Sequence, residues 1–204
     1  MKKRLTLFII ALCTAIALQA QNSSQAKAIL DKTAAVVSNK GGAQANFTMQ
    51  NTKTGTTSGT IAIKGNKFHA TTPQAIVWYN GKTQWTYLKQ NEEVNITTPS
   101  KAKQAAMNPY AFINLYKSGY ALSLSTSGNL HTVHMKATSS AAKSIPEMYI
   151  TVNKQTYVPT QVKMRHGSAW TTITVKNFKA KTLSDATFTF NAKDFPSAEV
   201  VDLR

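Results

Sequence analysis

The chain has 204 residues, with 24 Lys and Arg against eight Asp and Glu, for a formal charge of +16. Such a balance raises nucleic acid, anionic glycan or anionic lipid head groups as partners, but Lys53, Lys64, Lys67, Lys82, Lys89, Lys101 and Lys103 are scattered rather than gathered into a stripe. An export signal at the N-terminus argues further against nucleic acid, and eight acids with a single cysteine leave little material for acid–base or thiol chemistry.

The first twenty residues read as a secretory signal peptide. Lys2, Lys3 and Arg4 form a basic start, residues 5–18 are apolar apart from Thr6, Cys13 and Thr14, and Leu18-Gln19-Ala20 ends on a small residue suited to cleavage before Gln21. The apolar run is short for a membrane span. Cys13 follows Leu12 inside that run, not at a lipoprotein processing site, so the expected mature chain has no cysteine. Without disulfides its core must carry stability alone. Residues 21–204 fit one domain, with 21 basic and eight acidic side chains, or +13.

Residues 24–38 predict a helix. Ser24 can cap it; Ala26, Ile29, Leu30, Thr33, Val36 and Val37 form one stripe at three- and four-residue spacing, and Gly41-Gly42 stops it. A meander of strands follows over 43–50, 57–64 and 67–72, with Ala45, Phe47 and Met49, then Ile61 and Ile63, on single faces. After Pro73, residues 75–97 read as two hairpins. Asn80-Gly81 supplies two positive-φ positions for a tight turn, and Trp85, Tyr87, Val94 and Ile96 recur with period two. Residues 100–117 predict two short helices broken at Asn108 by Pro109, the second carrying Phe112, Ile113, Leu115 and Tyr116. It is apolar on more than one side, so it is buried all round or faces a lipid-like ligand.

Further strands are expected over 120–125, 130–137, 147–153, 158–165 and 171–175, with a last short one over 187–190 and a tail with Phe195, Val200 and Leu203 to bury. Ten or eleven strands in one antiparallel sheet must curl strongly. The predicted class is mainly β with short helices, an incomplete or closed barrel with helices at its mouth.

The pattern gives little support to catalysis. His131 and His134 are three apart on a strand and point to opposite faces; the other histidines are His69 and His166. No GxSxG nucleophile elbow occurs, adjacent Glu92 and Glu93 face opposite ways, and no glycine run forms a phosphate-cradling loop. No catalytic residue, metal site or cofactor is expected. Trp78, Tyr79, Trp85 and Tyr87 could stack on sugar rings, although core is the better reading of each alone. What remains is a hydrophobic container or a filled core, and the residues leave both open.

Several blocks, in order and spacing, resemble the LolA family of periplasmic outer-membrane lipoprotein carriers across residues 25–204. They are Ala45-Asn46-Phe47-Thr48-Met49-Gln50, Ser58-Gly59-Thr60-Ile61-Ala62-Ile63-Lys64, Lys67-Phe68, Asn80-Gly81-Lys82-Thr83-Gln84-Trp85-Thr86-Tyr87, Glu93-Val94 and Pro109. The resemblance implies a strongly curved antiparallel sheet forming an unclosed β-barrel covered by a helical lid, without catalysis or cofactor. The cavity would take acyl chains of lipoproteins released by an inner-membrane ABC-type complex, for delivery to an outer-membrane acceptor. A periplasmic monomer is expected; another lipid, or a sugar in the barrel, is the alternative. Carried onto this chain, the cavity would be lined by Phe47, Met49, Ile61, Ile63, Phe68, Trp85, Tyr87, Val94 and Ile96, and the lid's apolar side by Phe112, Ile113 and Leu115. Where the family often has Arg-Pro before the lysine-phenylalanine step this chain has Lys64-Gly65, which makes Lys64 the candidate lid latch without arginine's planar fork. His69 and Ala70 replace the aromatic expected after Phe68.

Overall fold

The computed structural model describes residues 2–38, 40–100, 115–138 and 145–204, with side chains of the first helix from Ala20 onward. Helix α1 (Lys2–Val37) is followed by β1 (Ala43–Asn51), β2 (Gly55–Lys64), β3 (Lys67–Thr71), β4 (Ala75–Tyr79), β5 (Gln84–Leu88) and β6 (Glu93–Thr97). A second run has β7 (Tyr120–Ser127), β8 (Leu130–Ala137), β9 (Glu147–Asn153), β10 (Pro159–His166) and β11 (Ala169–Ala180), and the chain ends with β12 (Glu199–Asp202).

All twelve strands form one sheet, in the order β12-β6-β5-β4-β3-β2-β1-β11-β10-β9-β8-β7. Each run is a meander of sequence neighbours, and the antiparallel pair β1–β11 joins the two. A β-bulge at this seam is accommodated by Asn177, whose φ is +54°. β12 and β7 are the two edges, so the sheet does not close. At the β7 edge the Asn22 side chain donates to the Leu124 carbonyl at 3.0 Å and accepts from the Leu124 amide at 2.7 Å. It replaces a neighbouring strand there and blunts an otherwise open edge.

Most of the apolar stripe of α1 is buried as its spacing requires, with Ala26, Ile29, Leu30, Thr33 and Val37 in the interior and Val36 half-buried. The helix does not begin at Ser24, however, but runs unbroken from Lys2; no proline or glycine interrupts the apolar N-terminal segment. The two helices expected over 100–117 fall, for 101–114, outside the described residues. Leu115 is helical and Tyr116 is buried at 4% exposure.

The sheet wraps its inner face around α1. One buried cluster joins Ile29, Leu30 and Val37 of the helix to Ala45, Ile61, Ile63 and Phe68 on one side and to Val133, Met148, Ile150, Val162 and Ile173 on the other. Reaching strands that far apart with one helix requires strong curvature. Gly59 shows where part of the bend lies: a Cβ there would sit 1.9 Å from the Thr71 carbonyl oxygen and 3.2 Å from the Phe47 ring. A bare α-carbon lets the end of β3 cross close to β2.

Three local expectations need correction. Asn80-Gly81 is not a two-residue turn with both residues at positive φ. Only Gly81 is (φ 100°), β4 and β5 are joined through four residues, and the Asn80 carboxamide oxygen accepts from the amides of Lys82 and Thr83 at 3.0 and 2.9 Å. That Asx turn takes the place of a left-handed asparagine. Residues 187–190 are not a strand: Asp185–Phe188 is a 3-10 turn whose Phe188 is fully buried against Ala62 and Leu183 on the outer face of the sheet. The tail does not bury Val200 and Leu203, which stay 49% and 61% exposed, because it is added as an edge strand, β12, paired in parallel with β6 with Val200 opposite Val94.

Gly59→Ala is expected to lower folding stability by at least about 2 kcal/mol, read as a lower urea midpoint at unchanged m-value. A midpoint equal to that of the parent would show that the corner does not depend on the close approach.

Candidate functional site

Strand pairing fixes which side chains share a face. Ala45 stands opposite Ile61, Ile63 opposite Phe68, and Phe68 opposite Tyr79, while Ala70 is flanked by Ile61 and Val77. Phe47 and Met49 stand opposite Val175 and Ile173. All of these belong to the inner face, where α1 packs. One residue out of phase, Ala62 stands opposite His69, His69 opposite Trp78, Trp78 opposite Trp85 and Trp85 opposite Ile96, with Tyr87 opposite Val94. That set belongs to the outer face.

The nine residues proposed for one cavity wall are thus divided. Phe47, Met49, Ile61, Ile63 and Phe68 are brought together inside. Trp85, Tyr87, Val94 and Ile96 are together on the other side of the sheet, so no single concave surface holds both groups. Of the lid residues, Leu115 is half-buried against the inner core; Phe112 and Ile113 lie outside the described residues.

The inner face is not uniformly sealed. Ile61, Ile63, Phe68 and Tyr79 are buried, but Phe47, Met49, Ala70 and Val77 are only partly buried along β1, β3 and β4. They make a half-open apolar strip beside the helix-covered core. Beyond it the inner face turns polar at Gln84, Thr86, Asn95 and Thr97. Gln84 is 6% exposed, its amide donates to the Thr86 hydroxyl at 3.1 Å, and its Oε1 has no hydrogen-bond partner among the described residues.

The segment after 101–114 is fastened to α1. The Tyr116 hydroxyl donates to Asp31, which holds that carboxyl below the usual aspartate range. Burial, reinforced by Asp31, pushes the Tyr116 phenol up to about 12. Lys32 lies 4.7 Å over the Tyr157 ring and donates to its hydroxyl at 3.1 Å, holding the helix to the β9–β10 connection.

On the outer face, the chain's last segment covers the aromatic end of the sheet. Phe190 and Phe195 meet the Trp78 ring edge-on at 5.5 Å, and Phe195 lies 4.7 Å from Tyr87. Trp78 stacks on His69 at 5.4 Å, and burial pushes the His69 imidazole below its ordinary value. Trp78 and Tyr79 are 8% and 2% exposed and lie on opposite faces, so the four aromatics do not form a sugar-stacking platform.

Lys64 serves this outer cover. Its ammonium donates to the Leu183 carbonyl at 2.9 Å and to Asp185 at 3.2 Å, while Lys67, its partner across the β2–β3 turn, reaches the other Asp185 oxygen at 2.8 Å. No described lid residue is in contact with it through these bonds. Sequence reasoning does not reach the contacts of Lys67 with Asp185, of Phe190 and Phe195 with Trp78, or of the Tyr116 hydroxyl with Asp31, since each joins residues far apart in the chain. Among the described residues no three His, Cys, Asp or Glu gather as metal ligands.

A sequence model of the family described as outer membrane lipoprotein carrier protein LolA matches residues 16–168. No curated protein matches the chain. Among solved structures, an uncharacterized conserved protein of Thermus thermophilus aligns at TM-score 0.60 and 16% identity, covering 87% of this chain and 99% of that one. That alignment carries the likeness of fold. A LolA superfamily protein of Nitrosomonas europaea aligns at TM-score 0.47 and 11% identity, over 81% and 97% of the two chains. LprF from Mycobacterium bovis aligns at TM-score 0.45 and 10% identity, over 80% and 98%.

Lys67 and then Lys64 hold Asp185 below the ordinary aspartate range. Its stabilising effect on the C-terminal cover is therefore complete above that range and is lost as pH falls through the depressed value. Tryptophan fluorescence should report an acid-side release of the cover from Trp78, and Asp185→Asn should flatten that limb. An identical acid limb in the variant would contradict the assignment.

Proposed function

The chain belongs to the LolA family of outer-membrane lipoprotein carrier proteins, and from that premise we propose that it is an extracytoplasmic carrier of acylated cargo. Its signal peptide is removed near Ala20, and residues 21–204 act as one periplasmic domain. The cargo's acyl chains lie on the inner face of the open sheet. The observation that carries this reading is the half-buried strip of Phe47, Met49, Ala70 and Val77, next to the buried wall of Ile61, Ile63 and Phe68. Apolar surface left partly open beside a sealed core is what a transient hydrocarbon ligand needs. Each methylene it buries contributes roughly 0.8 kcal/mol, so a few determine occupancy.

The cargo is a lipoprotein, received from an inner-membrane ABC-type releasing complex and passed to an outer-membrane acceptor, by a monomer without catalytic step or cofactor. Family membership supports that role. The outer-face residues Trp85, Tyr87, Val94 and Ile96 contribute to the fold there, and Lys64 fastens the C-terminal cover.

Met49→Asp and Val77→Asp should each weaken binding of a fluorescent acyl probe at least about tenfold, since a charge on the strip must be desolvated with the chain. Trp85→Ala should leave probe affinity within about twofold, because its side chain is on the other face. Circular dichroism checks that each variant is folded. Unchanged probe affinity in both strip variants would overturn the assignment of the inner face.

A further inference from the structure

The rows of the inner face can be followed from strand to strand. Ile63, Phe68 and Tyr79 stand in one row, which continues into Gln84 and Thr97. Ile61, Ala70 and Val77 stand in the next, which continues into Thr86 and Asn95. Both rows turn from apolar to polar at the step from β4 to β5, so one face carries the strip together with a polar end. A hydrocarbon chain lying on Ala70 and Val77 would have its first polar atoms over β5, one strand spacing of roughly 4.8 Å farther on.

At this polar end Gln84 carries a buried oxygen without a partner. The residue is 6% exposed, and its amide donates to the Thr86 hydroxyl at 3.1 Å, but its Oε1 accepts no hydrogen bond among the described residues. The nearby Asn95 carboxamide is already engaged, donating to Glu93. A buried carbonyl oxygen without a donor is destabilising, and an apolar side chain of similar length would avoid that loss. Such an atom suits a ligand that brings an O–H or N–H of its own. The donor is neutral, because a charged head would have to be desolvated at a position this buried. We propose that Gln84 reads the linkage of the cargo: its Oε1 accepts from a neutral hydroxyl or amide N–H next to the acyl carbonyl of a chain on the Ala70–Val77 strip. A site built to accept such a donor discriminates against an analogue that lacks it. This deepens the carrier reading and rests on it.

The test is calorimetric titration of the parent and of Gln84→Met with three lipids of one chain length: a monoacylglycerol, an N-methyl fatty amide, and a fatty acid methyl ester, which has no donor. Gln84→Met should bind the donor lipids about tenfold more weakly than the parent does, and the methyl ester within about twofold. A loss confined to the monoacylglycerol supports the proposal with a hydroxyl as the donor, and one confined to the amide supports it with an N–H. Should Gln84→Met fail to fold, the parent decides alone: the Gln84 side-chain amide resonances should shift with a donor lipid and stay in place with the methyl ester. Affinities that change alike for all three lipids, or for none, would overturn the proposal and leave the carrier reading standing, as would Gln84 resonances that no donor lipid moves more than the methyl ester does. Absence of binding of all three to the parent would overturn the carrier reading and this proposal with it.

Discussion

Everything in this molecule follows from a sheet that has two faces to bury and no closure to hide its edges. On the inner face, helix α1 presents Ile29, Leu30, Thr33 and Val37 to the curled strands. The apolar surface extends past that helix: Phe47, Met49, Ala70 and Val77 carry on from the buried wall, only partly covered. An exposed apolar patch of this kind is costly in a protein with no use for it. The close approach at Gly59 helps wrap the sheet that carries both the buried wall and this strip.

The outer face solves its own problem by a different route. Trp78, Trp85 and Tyr87 form an apolar end there, and the chain returns after β11 to cover it with Phe188, Phe190 and Phe195. Lys64 and Lys67 hold this cover through Asp185, an exposed contact that salt and acid weaken. Dispersion and burial in the aromatic cluster carry most of the attachment, and the ion pairs set where it begins. The outer side is thus covered by the chain itself, while the inner side keeps its partly open apolar strip.

Strand positions were largely legible because period two and turn residues are local signals, and the stripe of α1 was legible for the same reason. The phase between strands was not. Within one strand alternation groups side chains, but which group faces inward depends on how each connection pairs its ends. The four residues between β4 and β5 pair Tyr79 with Gln84 and Trp78 with Trp85, which sends Trp85 outward and a glutamine inward. A bulky aromatic pair reads as core from sequence, and here it is core, but of a second layer completed by residues far along the chain. The contacts of Lys64 with Leu183 and Asp185 are illegible in the sequence for that reason, since these partners are distant in the chain. The strip of Phe47 and Met49 was legible because β1 and β2 are long and alternate cleanly. Its extension to Ala70 and Val77 depended on registers that only the paired sheet reveals.

The central claim is that hydrocarbon occupies the inner face and not the outer one. Photo-crosslinking with a fatty acid carrying a diazirine near the chain end, followed by peptide mass mapping, tests it directly. The account predicts adducts on peptides containing Phe47, Met49 or Val77. Adducts confined to Trp85, Tyr87, Val94 or Ile96, or none at saturating probe, would contradict it.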